Sequence, residues 1–111
     1  MSLPDRIDYY GNKYWYKPGT TIRHRLDGPA VELAGGTKYW YQNDVLHRLG
    51  GPAIEYSDGT LFWYKEGKYH REDGPALIYN YNTEYWYINN KKIDCQSQEE
   101  FEKLMKLKAF W

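Results

Sequence analysis

Cysteine is nearly missing from this chain of 111 residues: Cys95 stands alone. One thiol closes no internal disulfide, so the fold rests on packing and hydrogen bonds, and a reducing, cytoplasmic setting is expected. Net charge is missing as well, since 15 basic residues balance 15 acidic ones. Without a long-range positive field, no nucleic-acid partner is expected. No run approaches the roughly 18 apolar residues of a membrane-crossing helix, and no apolar leader opens the chain, so no membrane span is expected. Phenylalanine (3) and methionine (2) are scarce; the rings are 13 tyrosines and 5 tryptophans. These bury large areas but carry a polar tip that needs a partner or water. The length suits a single domain, residues 1–111, with a thin, amphipathic core.

What the chain does have is a period. His24, His47 and His70 stand 23 residues apart, as do Gly28, Gly51 and Gly74, and Trp40, Trp63 and Trp86. Trp15 precedes Trp40 by 25, because "WYKPGTTIRHR" is two residues longer than "WYKEGKYHR". A fixed period in the twenties signals a repeat architecture. Each unit reads as two extended segments. In "PAVEL" and "PAIEY" apolar and polar residues alternate, the mark of a half-buried strand. "KYWYQ", "LFWYK" and "EYWYI" are aromatic and suit a pleated surface. Between the two lie "AGGT", "SDGT" and "NYNT", where Asp58-Gly59 signals a tight hairpin and Asn82 can take the left-handed conformation. A second tight turn, "NDV", "EGK" or "NNK", follows. The expected fold is mainly β: an antiparallel meander of about four hairpin repeats over residues 5–94, in one twisted sheet. "RIDYYGNKYWY" is a first copy without its HRxDGPA, and Ile93-Asp94 stand where a fourth His-Arg would fall.

The tail breaks the period. "SQEEFEKLMKLKAFW" opens with Ser97 and Glu100 in capping-box spacing. Acidic residues start it, Lys106 and Lys108 end it, and Phe101, Leu104, Met105 and Leu107 share a face. A helix over 97–110 is expected, covering the apolar end of the array or docking on a partner.

The phrase HRxDGPA supplies His24, Arg25 and Asp27, then His47 and Arg48, then His70, Arg71 and Asp73; Gly50 replaces the middle aspartate. Glycine and proline read as a turn, with permissive φ at the glycine. The aspartates can accept from turn N–H groups or pair with the arginines. His with Asp also suggests base and orienter, and three histidines suggest a metal. Yet equivalent residues of a two-strand repeat lie about 9.6 Å apart, too far to share one ion. Tiling one phrase three times is the reverse of a single asymmetric active site. These residues are expected to form a structural corner, with no catalytic residue, metal or cofactor.

Within "KYWYQ" the pleat puts both tyrosines on one face and the tryptophan on the other. Trp15, Trp40, Trp63 and Trp86 therefore form a row. The row is either an exposed interaction stripe or a set of rings lying under Arg25, Arg48 and Arg71.

"DGTLFWYKEGKYHREDG" resembles the MORN repeat, a unit of the same period. Asp58, Gly59, Trp63, Gly67, Lys68, His70 and Gly74 follow its pattern in order, and the similarity runs over roughly residues 5–93. The family's Tyr-x-Gly before Trp is missing, and its His-Gly becomes His-Arg with an added Pro-Ala. The resemblance implies hairpin meanders that serve as scaffolds for protein contacts or dimerisation, and no catalytic residue. The expected function is a non-enzymatic module that binds another protein or itself, with homodimerisation through the N-terminal edge strand. The alternative is an aromatic-lined module for carbohydrate or choline-type ligands.

Overall fold

The computed structural model describes residues 2–107. Strands β1 (Arg6–Ile7), β2 (Lys13–Tyr14), β3 (Val31–Glu32), β4 (Lys38–Tyr39), β7 (Ile54–Glu55), β8 (Leu61–Phe62), β11 (Leu77–Ile78), β12 (Glu84–Ile88) and β13 (Lys91–Ile93) form one antiparallel sheet in that order. Two hairpins stand outside it: β5 (Tyr41–Gln42) with β6 (Val45–Leu46), and β9 (Tyr64–Lys65) with β10 (Lys68–Tyr69). Helix α1 (Gln98–Leu107) follows. The expected meander with its terminal helix is therefore present, in a body of 47 × 28 × 20 Å. The rest of the helix expected over 97–110 lies outside the described residues.

One difference concerns the aromatic segments. "KYWYQ" and "LFWYK" are not single strands: each is divided at its tryptophan. The Trp40 N–H donates to Ala53 O (2.7 Å), inside the main sheet, while its carbonyl accepts from His47 N (3.1 Å) of its own hairpin. Trp63 does the same with Ala76 and His70. The chain thus changes pairing partner at each tryptophan. In the last copy β12 runs unbroken but makes the same change, pairing with β11 before Trp86 and with β13 from it onward. The first copy keeps only the bridge Tyr16–Arg23, because the Pro18-Gly19 loop is two residues longer.

Register decides what each face carries. Tyr14, Val31, Tyr39, Ile54, Phe62, Leu77 and Tyr85 are successive cross-strand partners, so aliphatic and aromatic residues alternate along one face. Such pairs are worth roughly 0.2–1 kcal/mol each. Val31, Ile54 and Leu77 are buried. Rings of Tyr39, Tyr56, Phe62, Tyr79 and Tyr85 meet edge to face along it, with centroids 5.2–6.5 Å apart. The phenol-rich composition becomes a half-buried ribbon, not a closed core. On the opposite face Lys13, Glu32, Lys38 and Glu55 alternate in sign.

The turns follow local chemistry. Asn43-Asp44, Glu66-Gly67 and Asn89-Asn90 all have positive φ at both positions, the geometry that matches strand twist in a two-residue hairpin. Asn82 takes φ 65°, where the preceding copy has Gly59. Helix α1 starts as its capping box requires, with Ser97 Oγ accepting from Glu100 N at 3.1 Å. Its Phe101 is fully buried against Trp86, Ile88 and Ile93, the one compact apolar cluster among the described residues.

Candidate interaction surface

The corner phrase holds a guanidinium in a slot. Arg25, Arg48 and Arg71 lie over the rings of Trp15, Trp40 and Trp63, with Cζ 3.9, 3.9 and 4.0 Å from the centroids. Contacts of this kind are worth about 0.5–2 kcal/mol each. Each Nη1 also donates to the carbonyl of Pro29, Pro52 or Pro75, at 3.0–3.1 Å. The acidic partners then vary by copy. Arg25 pairs with Asp27 (2.9 Å) and Glu32 (3.3 Å), Arg48 with Glu55 alone (2.9 Å), and Arg71 with Asp73 alone (2.9 Å). Gly50 and Ile78 stand where the missing carboxylates would be. Arg25, doubly paired, is the most buried of the three. The Arg25 guanidinium beside Asp27 holds its carboxyl below the usual range.

The chain bends at 26–28, 49–51 and 72–74, where the phrase places its turn, but the glycine contributes more than permissive φ. Gly28, Gly51 and Gly74 do not have positive φ. A Cβ there would instead sit 2.7–2.8 Å from Cζ of Arg25, Arg48 or Arg71. A side chain there would require the guanidinium to shift, so glycine leaves it room beside the indole.

The histidines lock neighbouring units. Nδ1 of His24 accepts from Asn43 N (3.0 Å), that of His47 from Glu66 N (3.0 Å), and that of His70 from Asn89 N (3.1 Å). Each acceptor reaches the turn of the next hairpin, 19 residues on. The three imidazoles thus serve three separate turns and do not converge on one centre. Among the described residues no three His, Cys, Asp or Glu side chains group as metal ligands. Asp44 adds a similar tie, accepting from Arg23 N and Nε, and these bonds hold its carboxyl low.

Of the two arrangements open to the tryptophans, Trp15, Trp40 and Trp63 adopt the one under arginine. Trp86 has no arginine, since Asp94 occupies that place; Phe101 of α1 packs on it instead, with centroids 6.3 Å apart. Trp15 and Trp86 are buried, whereas Trp40 and Trp63 are half-buried and line two clefts between successive corners. The cleft at Trp40, about 580 Å³, is bordered by Asp27, His47 and Arg48, with Leu26 and Leu49 at its rim. That at Trp63, about 260 Å³, is bordered by Gly50, His70 and Arg71. Leu26 and Leu49 are 78% and 74% exposed, although both are apolar.

Two contributors were not legible in the pattern. Ser2 O accepts from Trp15 Nε1 (3.2 Å), and Gln98 Oε1 accepts from Trp86 Nε1 (2.9 Å). Gln98 lies outside the repeat, hinted at only by the missing arginine at Trp86, whereas Ser2 stands at the place of Asp27, 13 residues before its tryptophan. Edge strand β1 carries Ile7, 60% exposed, and continues into the exposed Tyr9 and Tyr10. Among the described residues no helix is long and apolar enough to cross a membrane. No protein-family model, no curated protein and no solved structure matches this chain.

Proposed function

We propose that this chain is a non-enzymatic, diverged MORN-like repeat module that scaffolds contact with another protein or with a second copy of itself. The supporting observation is the unequal treatment of the two ends of the sheet. At one end α1 covers the last repeat and buries Phe101 completely. At the other, β1 pairs on one side only among the described residues, beside exposed Ile7, Tyr9 and Tyr10. Such an edge is a template for strand addition. The histidines and arginines are spent on joining repeats, which fits carpentry rather than catalysis. The lone cysteine, Cys95, closes no internal disulfide, which suits a reducing, cytoplasmic setting. Zero net charge gives no field for nucleic acid.

Light scattering of the full chain over a wide concentration range tests self-association. The expected result is a mass rising towards twice the monomer, and its loss in Ile7→Lys. A constant monomer mass would remove self-association and leave a heterologous partner. The carbohydrate or choline reading draws on the aromatic clefts, but Arg48 and Arg71 occupy the ring faces on which a sugar or quaternary ammonium would stack. Titration of tryptophan fluorescence with glycans and choline is expected to show no saturable change.

A further inference from the structure

The four tryptophans share a backbone environment but not an indole partner. Trp15 Nε1 donates to Ser2 O, and Trp86 Nε1 donates to Gln98 Oε1. Among the described residues the Trp40 and Trp63 N–H groups meet no acceptor, and neither is sealed from solvent. Trp15 is thus served by the residue 13 positions before it and Trp86 by the terminal helix, while the two inner copies open into clefts.

Gln98 shows how such a cleft is filled. Its carbonyl oxygen accepts from Trp86 Nε1 at 2.9 Å while its amide nitrogen donates to Asp73 O at 3.1 Å. Asp73 lies 13 residues before Trp86. The same offset leads from Trp63 to Gly50 and from Trp40 to Asp27, and each of these lines the cleft beside its tryptophan. At Trp86 the indole N–H and that carbonyl meet through Gln98, and at Trp15 the same offset leads to Ser2, whose carbonyl takes the indole N–H directly. A group seated at Trp40 or Trp63 in the manner of Gln98 must likewise accept from an indole and donate to a backbone carbonyl. A carboxamide satisfies both at once. A carboxylate has no hydrogen to give the carbonyl, an ammonium has no lone pair for the indole, and a thioether has only a weak acceptor.

We propose that the clefts at Trp40 and Trp63 are two carboxamide subsites, each taking a glutamine or asparagine side chain of a partner protein as Gln98 is taken at Trp86. This rests on the interaction-module reading and gives its partner a chemistry. The carboxamide transfers between copies and the phenyl group does not: Arg48 and Arg71 already cover the ring faces that Phe101 takes on Trp86. The exposed Leu26 and Leu49 at the rim call for apolar residues flanking the amide. Equivalent sites lie about 9.6 Å apart, two strand spacings. A partner segment with two carboxamides at that separation engages both, and gains from the second contact being intramolecular.

The test uses the full chain labelled with ¹⁵N, its indole N–H signals assigned through Trp40→Phe and Trp63→Phe. The probes are acetyl-Leu-Gln-Leu methyl ester and its counterparts with Glu or Met in the centre, so that the glutamine side chain is the one primary carboxamide present. The glutamine probe is expected to move the Trp40 and Trp63 signals saturably, to leave those of Trp15 and Trp86 in place, and to bind at least about tenfold more tightly than either counterpart. Unmoved signals, or equal binding of the three probes, overturn the proposal. If scattering shows assembly while these signals stay fixed, the carboxamide subsites fall and the module reading stands. If the signals move in a chain that stays monomeric, the subsites stand and self-association falls.

Discussion

Adding one methyl group at Gly28 tests the slot directly. The Cβ of Gly28→Ala would lie 2.8 Å from Arg25 Cζ and 3.1 Å from Nε and Nη1, against an ordinary contact of 3.4–4 Å. The guanidinium must give way by roughly 0.6 Å to reach ordinary contact. It cannot retreat directly, because the Trp15 ring is already at stacking distance, 3.9 Å below. Sliding sideways strains the bonds to Asp27 (2.9 Å), Pro29 O (3.1 Å) and Glu32 (3.3 Å). Overpacking costs about 1–3 kcal/mol, and weakened hydrogen bonds to a charged group add to that. Glycine to alanine also restricts the unfolded chain, which returns about 0.4–1 kcal/mol. The expected net loss is about 1–3 kcal/mol, a fall in Tm of about 4 °C per kcal/mol. Gly35→Ala is the control: its Cβ meets nothing within 4 Å and its φ is not left-handed, so its Tm should be unchanged or slightly raised. In the double variant Gly28→Ala with Arg25→Ala, the first change should cost little beyond the second, since the clash is gone. Gly28→Ala melting at or above the parent temperature would refute the slot.

Two further outcomes follow from the same contacts. Phe101→Ala removes a fully buried ring from Trp86 and from the compact apolar cluster around it, so a loss of about 3–5 kcal/mol is expected, read as a lower melting temperature with a changed Trp86 indole signal; an unchanged melt would mean that α1 does not cover the array. At alkaline pH, burial first and the adjacent Tyr69 phenol second push the Tyr64 phenol well above the ordinary tyrosine value. Its neutral form is favoured by folding, so that stability is complete below about pH 10 and fades as pH rises past it. A tyrosinate absorbance titration should show Tyr64 ionising last or together with unfolding, and Tyr64→Phe should remove that late step.

Much of the fold could be read without coordinates, because its determinants are local. Asn82 replaces a glycine where a left-handed residue is needed, and paired turn residues at 43–44, 66–67 and 89–90 specify two-residue hairpins. Ser97 and Glu100 start a helix whichever body it docks on. What could not be read depends on contacts across the chain. The strand "KYWYQ" carries no mark at Trp40 that its hydrogen bonds change partner there; that follows from where Ala53 and His47 lie. The corner glycine looks like a turn residue in sequence and sits where the chain bends, yet its φ is not left-handed, and the space it leaves for Arg25, Arg48 or Arg71 shows only in the packing.

The sequence alone therefore determined the 23-residue rhythm, the hairpins and the terminal helix, since period, turn chemistry and capping act within a few residues. Tertiary structure alone decided which ring each arginine covers, which turn each histidine holds, and that Ser2 and Gln98 reach the outer indoles while the inner ones face open clefts. The physical reason is that stacking and hydrogen bonding depend on distances in space. Repeat stacking creates those distances by placing residues 8 to 25 positions apart against one another.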